Sequence, residues 1–556
     1  MPYYSRSFER KTVSMYVKYS EMCSQALKII LMLIMAATLG SACTQQPQEQ
    51  ESTKAADKPN IVIIMADDMG YSDIGSYGGE IATPNLDALA ENGLRFRQFY
   101  NAARCCPTRA SLLTGLYPHE AGMGGMVSNV DSQPAPGPYQ GFLNNSSVTI
   151  AEVLKQADYA TYMSGKWHVG EKPEHWPRQR GFDRYFGLIS GASSYFEIIK
   201  EQPRVRQMVL DDQPWAPPAD GFYMTDAFTN YAVSFLDEHF QQKEEQPFLL
   251  YLAYTAPHWP LHALPEDIQK YEGKYALGWD SLRDLRYQNM LEMGIIDSTY
   301  ALAPREEGVA AWENAENKED WARRMAVYAA MIDRMDQGIG KVVNTLKQNN
   351  AWDNTLILFL SDNGGCAEDI AGRGLNDPSA EIGYPGSYVA YQKPWAIASN
   401  TPFRRYKQWV NEGGIATPLI AHWPEGIAAS GIAEGYAHVT DIMVTCLEAA
   451  KTAYPANYNG KSVKALRGKS LLPVFEGEAG DEERTLYWEH FGHQAVRKGK
   501  WKIVANAPDY QWQLFDMDQD PTELEDVSSE FQDITRTLAE DYQSWADEVG
   551  VKKVKP

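Results

Sequence analysis

The chain has 556 residues, of which 44% are hydrophobic and 12% aromatic, so it has ample material for a folded core and is not a disordered protein. Its 51 lysines and arginines against 73 aspartates and glutamates give a net charge of −22, which argues against nucleic acid or an anionic lipid surface as a partner. If the substrate is an anion, positive groups close to the site must overcome this overall negative charge.

The first apolar segment, KIILMLIMAATL at 28–39, is too short for a membrane span and is typical of the hydrophobic region of a signal peptide. It leads into Gly40-Ser41-Ala42-Cys43 and a Gln-rich polar stretch, a pattern typical of a bacterial lipoprotein processing site and a flexible tether. We therefore expect a leader over 1–42, a tether over 43–58, and an exported protein that is periplasmic or held at the outer membrane by lipid on Cys43. Ordinary signal cleavage near this position is the alternative.

Four cysteines lie beyond the tether: Cys105, Cys106, Cys366 and Cys446. Four cysteines in so long a chain do not form a disulfide scaffold, even in an exported protein. The geometry of a disulfide argues against a structural bridge between the adjacent residues Cys105 and Cys106. At least one of this pair is therefore expected to serve another purpose.

From residue 59 onward, short apolar runs alternate with helical patterns, which is typical of a largely parallel sheet covered by helices on both faces. Helices are predicted over 83–93, with Thr83 as the N-cap, Pro in the first turn and a Gly stop, and over 321–347. The apolar runs are IVIIM (61–65), YATYM (159–163), FLLYLAY (248–254), LILFL (356–360) and PLIAHW (418–423).

Beyond residue 466 the pattern changes, with YWEHF, AVRKGKWKIV and WQLFDM predicting antiparallel strands before a final helix near 530–547. The sequence thus predicts a large α/β domain over 59–465, in which a large mixed, mostly parallel sheet lies between helices. A smaller α+β domain with an antiparallel sheet is predicted over 466–556.

Polar side chains follow four of the apolar runs, where ligands gather in open α/β sheets because the carboxyl ends of parallel strands meet there. The oxygen ligands among them suit a hard cation, Ca²⁺ or Mg²⁺, better than zinc. Alternatively, the Asp-Asp and Asp-Asn pairs cap helices and form turns, Lys166 and His168 are turn and surface residues, and His258 stacks in a proline-braced loop. The polar residues are Asp67, Asp68, Lys166, His168, His258, Asp362 and Asn363.

The segment NAARCCPTRASLLTG at 101–115 contains Cys-x-Pro-x-Arg followed by a short helix pattern that ends in Thr-Gly. In this segment the chain closely resembles the type I sulfatases of the alkaline phosphatase superfamily, with the bacterial arylsulfatase-like branch as the nearest match. The resemblance extends over nearly the whole chain beyond the tether, through PNIVIIMADDMGYSD, TPNLDALAENG, GKWH, QRGFDRYFG, APHWPLHA, SDNGG, FRRYKQWVNEGGIATP and WQLFDMDQDPTE. One departure is Ala416, where many relatives place Arg; this affects either the substrate pocket or only the loop.

The resemblance implies an alkaline-phosphatase-like fold and the release of sulfate from a sulfate ester. In that family the cysteine at the position of Cys105 is converted by a formylglycine-generating maturation enzyme to formylglycine, whose hydrate is the nucleophile, while Cys106 fills the variable position. The family pattern further implies that Arg109 holds the modified side chain and that Lys166 and Lys407 bind sulfate oxygens. His258 would protonate or stabilise the departing alkoxide, and His168 would be the base that breaks down the sulfated hydrate. The cation ligands implied are Asp67, Asp68, Asp362 and Asn363.

The cation, lysines and arginine of such a site supply the local positive charge that an acidic protein needs in order to bind and cleave an anionic ester. A sulfated carbohydrate, such as an algal polysaccharide fragment, is the preferred substrate, and Trp167, Trp176 and Trp259 are candidates for stacking on its rings. Small aryl sulfates, and phosphonates or phosphodiesters turned over by the same superfamily, are the alternatives. The intact motifs argue against a carbohydrate-binding lipoprotein that has lost catalysis.

Overall fold

A ten-stranded sheet forms the centre of the computed structural model, which describes residues 58–128, 133–198, 206–243 and 245–553. The leader and tether predicted over 1–42 and 43–58 lie outside the described residues, except for Lys58. The strands are β1 (Asn60–Asp67), β2 (Leu94–Tyr100), β3 (Ala160–Gly165), β4 (Arg184–Leu188), β5 (Met208–Leu210), β6 (Gln213–Trp215), β7 (Phe248–Pro257), β8 (Thr355–Ser361), β9 (Leu419–His422), β10 (Gly431–His438), β11 (Asn457–Tyr458), β12 (Lys461–Ser462), β13 (Thr485–His490), β14 (His493–Lys498), β15 (Trp501–Ala505) and β16 (Trp512–Asp516).

The main sheet has the order β10-β2-β9-β8-β1-β7-β3-β4-β5-β6. Its four central neighbours, β8, β1, β7 and β3, are mutually parallel, and they are the four runs after which polar residues were singled out. The fifth run, at 418–423, is also a strand, but β9 is antiparallel to both of its neighbours. The predicted fold class, a mixed and mostly parallel sheet between helices, is confirmed.

The helices that cover this sheet and complete the fold are α1 (Pro84–Glu91), α2 (Cys105–Thr114), α3 (Ile150–Gln156), α4 (Met224–Gln242), α5 (Pro265–Gln269), α6 (Gly278–Glu292), α7 (Lys318–Gln348), α8 (Gln392–Ser399), α9 (Glu412–Ile415), α10 (Thr440–Ala449), α11 (Leu472–Phe475) and α12 (Gln532–Val549). The two helices predicted over 83–93 and 321–347 are present as α1 and α7. Thr83 precedes α1, but its hydroxyl accepts from the Gly75 amide rather than capping the helix.

Both faces of the sheet are buried, which explains why its central strands are continuous apolar runs. Along β1, alternate side chains enter two separate cores: Val62 and Ile64 pack on one face, and Ile61 and Ile63 on the other. Helices α1, α4 and α7 contribute to the first core, while α2, α3 and α10 contribute to the second.

The C-terminal part contains a four-stranded antiparallel sheet in the order β13-β14-β15-β16, as the sequence predicted. Helix α12 packs its apolar side on this sheet, with Tyr542 and Trp545 next to Ile503 and Leu514 in a third core. The position of the domain boundary at 465/466 stays a prediction. In the described part of the chain, none of the helices combines the length and apolar character that crossing a membrane requires.

Candidate active site

The register of the central strands brings the predicted polar residues together. Ala66 of β1 is paired with Ser361 of β8, so Asp67 and Asp362 follow at the same level of two neighbouring strands. On the other side of β1, Met65 and Gly165 are both paired with Ala253 of β7, which places Lys166 next in line.

Asp68 and Asn363 join the two acidic strand ends. The Asp68 amide donates to Oδ1 of Asp362 at 3.2 Å, and Nδ2 of Asn363 donates to Oδ1 of Asp68 at 2.8 Å. Asp68 has a φ of 69°, in the left-handed region that non-glycine residues rarely adopt. Such strain is concentrated at functional sites, where the surrounding structure holds it in place.

Three buried cations hold the three carboxylates. Lys166 Nζ donates to Oδ2 of Asp67 at 2.5 Å, and Lys407 Nζ donates to Oδ2 of Asp68 at 2.8 Å. Arg109 donates from Nε and Nη2 to Oδ2 of Asp362 at 3.1 and 2.8 Å. Each cation therefore has one carboxylate at hydrogen-bond distance, and Nη2 of Arg109 also lies 3.8 Å from Oδ1 of Asp67, so the cluster is a network of close ion pairs.

The cluster also fits a hard divalent cation. Burial, followed by the charge of Asp362, raises the pKa of Asp67 well above its usual range, and burial likewise raises the pKa of Asp362. A bound divalent cation would oppose this rise in pKa, because its positive charge favours the ionised carboxylates. Oδ1 of Asp67 and Oδ1 of Asn363 are buried and accept no hydrogen bond from any described residue, so oxygen ligands suited to Ca²⁺ or Mg²⁺ are left available.

Cys105 is the first residue of α2 and lies beside this cluster. Its sulfur and carboxylate oxygens of Asp67 and Asp362 are all within 4.8 Å of one another. A hydrogen bond with the Cys106 thiol lowers the pKa of Cys105 well below its usual range; burial opposes this effect, and Lys166 and His168 reinforce it. The partial positive charge at the start of a helix also favours negative charge at this position.

His168 also lies close to Cys105: a ring nitrogen of His168 and the sulfur atoms of Cys105 and Cys106 lie within 4.8 Å of one another. Its backbone has a φ of 58°, and Gly191 packs directly against its ring: a Cβ at that glycine would lie 2.4 Å from the imidazole Cε1. The absence of a side chain at Gly191 is therefore required to let His168 approach position 105.

His258 follows β7 and faces Asp68. Its Nδ1 donates to the carbonyl of Trp259 at 2.6 Å, and its Nε2 lies 3.4 Å from Oδ2 of Asp68. Burial lowers the pKa of His258 to about 4, since the favourable charge of Asp68 only partly opposes the loss of water and Lys407 adds to the shift. The hydrogen bond at Nδ1 leaves Nε2 as the nitrogen that can exchange a proton with a ligand.

A cavity of about 130 Å³ opens above these groups. Among the residues predicted from the sequence, Cys105, His168, His258 and Lys407 line it, whereas the other six lie behind them in the buried ionic cluster. Sequence reasoning missed several lining residues; only Arg104, next to Cys105 in the motif, carried a signal that could have found it. The missed residues are Arg104, Met126, Gly191, Ala192, Arg206, Glu368 and Arg373.

The three tryptophans considered as stacking platforms differ in position. All three are buried, but only Trp259 lines the cavity. The Nε1 atoms of Trp167 and Trp176 donate to the carbonyls of His175 and Glu171. These two are packing residues. The departure at Ala416 is also buried, paired with Tyr100 rather than lining the cavity.

The fold and the site define a class: an α/β protein in which a cysteine at a helix N-terminus faces carboxylates, lysines and histidines near the ends of the central strands. A family model described as Sulfatase matches residues 59–452, and one described as N-sulphoglucosamine sulphohydrolase, C-terminal, matches 404–547. The chain belongs to the sulfatase family. It is a type I sulfatase of the alkaline phosphatase superfamily and a sulfuric ester hydrolase, as the sequence predicted.

Similar proteins span nearly the same length. An uncharacterised sulfatase of Schizosaccharomyces pombe is 34% identical over 534 residues, which cover 89% of this chain and 94% of that protein. The arylsulfatase of Klebsiella aerogenes is 36% identical over 436 residues, covering 75% and 92%. Among solved structures, Ps i-CgsB in complex with k-i-k-neocarrahexaose is 27% identical, with a TM-score of 0.66 and coverage of 88% and 93%.

Proposed function

We propose that this protein releases inorganic sulfate from sulfated carbohydrate fragments, with formylglycine at position 105 and a Ca²⁺ or Mg²⁺ ion held by Asp67, Asp68, Asp362 and Asn363. The observation that carries the proposal is the position of Cys105. Its sulfur lies within 4.8 Å of carboxylate oxygens of Asp67 and Asp362 and also lines the cavity. A side chain at this position can therefore reach both the cluster and an incoming ester.

The lysines supply the charge that attack on an anionic ester requires. Lys407 lines the cavity, and its ammonium donates to Oδ2 of Asp68 at 2.8 Å and lies 2.7 Å from Oδ1 of the same carboxylate. Since an ammonium has three N–H groups, the hydrogen bond to Asp68 leaves others for a sulfate oxygen. Lys166 is held in the same way by Asp67 and adds charge from behind position 105. A bound divalent cation supplies further positive charge beside this position.

The two histidines would each transfer a proton, one when the ester is cleaved and the other when the sulfated intermediate breaks down. His258 is fixed through Nδ1, so Nε2 would hold the proton that the departing alkoxide takes up, and an incoming anion favours the protonated ring. A hydrated aldehyde at position 105 supplies the attacking oxygen and a second hydroxyl, whose loss of a proton expels sulfate by C–O cleavage. His168, with a ring nitrogen within 4.8 Å of the sulfur at position 105, is the group that would accept this proton.

The carbohydrate substrate is supported by two similarities. The model that matches 404–547 is named for an N-sulphoglucosamine sulphohydrolase, and the solved structure of Ps i-CgsB contains k-i-k-neocarrahexaose.

The proposal is tested by mass spectrometry of protein purified from its native host, combined with sulfate release from a panel of sulfated oligosaccharides. We expect an aldehyde at position 105 and unmodified thiols at Cys106 and Cys446, the latter serving as an internal control. A thiol at position 105 in fully active protein would contradict the proposed nucleophile. Faster turnover of phosphodiesters than of matched sulfate esters would contradict the proposed substrate class.

The segment 28–43, outside the described residues, supports a separate proposal of export and lipid attachment at Cys43. Metabolic labelling with a fatty acid in the native host compares the wild type with Cys43→Ser. We expect label and membrane association only in the wild type, and equal labelling of both proteins would overturn the proposal.

A further inference from the structure

The mouth of the cavity carries an exposed arginine, Arg373, stacked on Trp259. Arg373 ends a short 3-10 turn, Ala371–Arg373, in the loop that follows β8 and Asn363. Its guanidinium carbon lies 4.5 Å from the centre of the Trp259 ring, and both residues line the same cavity as Cys105.

Trp259 is held by contacts with its neighbours and therefore positions the Arg373 side chain that stacks on it. Its Nε1 donates to Oε2 of Glu368 at 3.0 Å, and its ring centre lies 4.5 Å from that of His258. Arg373 and His258, the group proposed to protonate the leaving oxygen, therefore both lie against the Trp259 ring. A substituent close to the scissile sulfate on the same saccharide can reach the guanidinium.

The charge on Arg373 is not neutralised by a carboxylate in the described part of the chain. Lys166, Lys407 and Arg104, by contrast, pair with Asp67, Asp68 and Glu368 at 2.5–2.7 Å. Glu368 is the only carboxylate among the described residues that line the cavity, and Arg104 and Trp259 already engage it. In a chain of net charge −22, such a cation at a binding site points to an anionic ligand.

The cavity is too small to enclose a whole saccharide, so most of a carbohydrate substrate would lie at its mouth. Its volume of about 130 Å³ is below the roughly 300–1,000 Å³ of sites that enclose a whole small molecule. It therefore accommodates the sulfate group and part of its sugar, while neighbouring substituents and sugars lie next to Arg373.

We propose that Arg373 is the anchor of a second anion subsite, which binds a carboxylate or an additional sulfate on the saccharide that carries the scissile sulfate. A planar guanidinium suits both groups, because its fork of N–H donors matches two oxygens of an oxyanion. This inference rests on the proposed function and narrows its substrate class to saccharides that carry at least two anionic groups.

The test compares inhibition of 4-nitrophenyl sulfate hydrolysis by three disaccharides of equal length: one with a single sulfate, one with two sulfates, and one with a sulfate and a uronate carboxylate. For each enzyme the measured quantity is the ratio of the inhibition constant of the singly charged disaccharide to that of each doubly charged one. The variants are Arg373→Gln, Arg373→Lys and, as a matched control, Arg536→Gln at an exposed arginine of α12.

We expect the wild type and Arg536→Gln to prefer a doubly charged disaccharide by about tenfold or more, as one well-formed charge-assisted pair provides. In Arg373→Gln the ratio falls to about one, and in Arg373→Lys it is intermediate because charge remains without the planar fork. The disaccharide with the larger ratio in the wild type identifies sulfate or carboxylate as the preferred group.

Two results overturn the inference while leaving the proposed function standing: an active wild type without preference for double charge, or an unchanged preference in Arg373→Gln. A wild type that hydrolyses neither 4-nitrophenyl sulfate nor any sulfated disaccharide contradicts the proposed function instead. The two failures are therefore distinguished by the activity of the wild type alone.

Discussion

Arg109 and Asp362 form a fully buried ion pair in which two nitrogens of the guanidinium, Nε and Nη2, converge on one carboxylate oxygen. The third, Nη1, donates to the carbonyl of Lys166 at 3.1 Å. One side chain of α2 therefore ties the ends of β8 and β3 together behind Cys105. The Arg109–Asp362 pair therefore positions residue 105 next to the cluster, and it also balances the negative charge of Asp362.

Replacing Arg109 with Ala should impair stability and activity together. It leaves Asp362 buried without its partner, which costs about 3–5 kcal/mol in the free energy of unfolding. Loss of a positive charge at the site should also lower turnover by about 10²–10³-fold. Thermal unfolding and sulfate release measure the two effects.

The control is Arg536→Ala, which removes an exposed arginine paired with Asp533 on α12. An exposed ion pair contributes little to stability, so the free energy of unfolding of this variant should differ from that of the wild type by less than about 0.5 kcal/mol. Equal melting temperatures for the two variants would show that the buried pair is not structural.

The adjacent cysteines should respond very differently to substitution. Cys105→Ala removes the proposed nucleophile and should abolish turnover while leaving the fold intact. Cys106→Ala removes one buried sulfur atom, so it should lower stability by about 1 kcal/mol and reduce activity only modestly. Sulfate release and melting temperatures of both variants, prepared in parallel, test the contrast, and equal loss of turnover would count against Cys105 as the functional residue.

The proposed cation should be visible in stability as well as in activity. Treatment with a chelator should lower the melting temperature, and Ca²⁺ or Mg²⁺ should restore it, because an ion at 100 times its dissociation constant adds about 2.7 kcal/mol. Asn363→Ala removes a neutral oxygen ligand and should weaken the response to added ion. Gln337→Ala, at a part-buried amide in α7 that contacts Asp267 and Asp333, is the control. A melting temperature insensitive to chelator in the wild type would argue against a resident cation.

The part of the site that could be predicted from sequence is the part determined by strand ends. Asp67, Lys166, His258 and Asp362 follow buried apolar runs, and parallel neighbours in register bring such residues together. Lys407 follows no strand, so only the resemblance to sulfatases pointed to it. It reaches the site through an irregular loop in which Lys407 donates its amide to the Gly365 carbonyl.

Arg373 and Glu368 could not have been predicted, because they lie in a loop whose path is set by tertiary contacts and not by a sequence period. The amide of Cys366 in that loop is held by the hydroxyl of Tyr391, a contact without a local signal. The antiparallel direction of β9 escaped prediction for a related reason. An apolar run identifies a buried strand but does not encode the direction in which it pairs.

Acid should destabilise the folded protein through His262, a buried histidine outside the proposed ionic cluster. Burial lowers its pKa to about 4, which its hydrogen bond to the Ser387 carbonyl only partly opposes. In the unfolded chain the pKa is about 6.5. Between these values the unfolded state binds a proton that the folded state does not, so this contribution to stability is complete above about pH 6.5 and is lost as the pH falls towards 4.

Between these pKa values, the contribution of His262 to the free energy of unfolding falls by about 1.4 kcal/mol per pH unit. Near pH 5 the protein has therefore lost about 2 kcal/mol of stability through His262. His262→Gln keeps a hydrogen-bonding side chain but cannot gain the proton, which makes the difference between wild type and variant the informative quantity. Melting temperatures measured at pH 7, 6 and 5 should show that the wild type exceeds His262→Gln by a smaller margin at each lower pH. A difference that stays constant over this range would mean that His262 does not titrate as its burial requires.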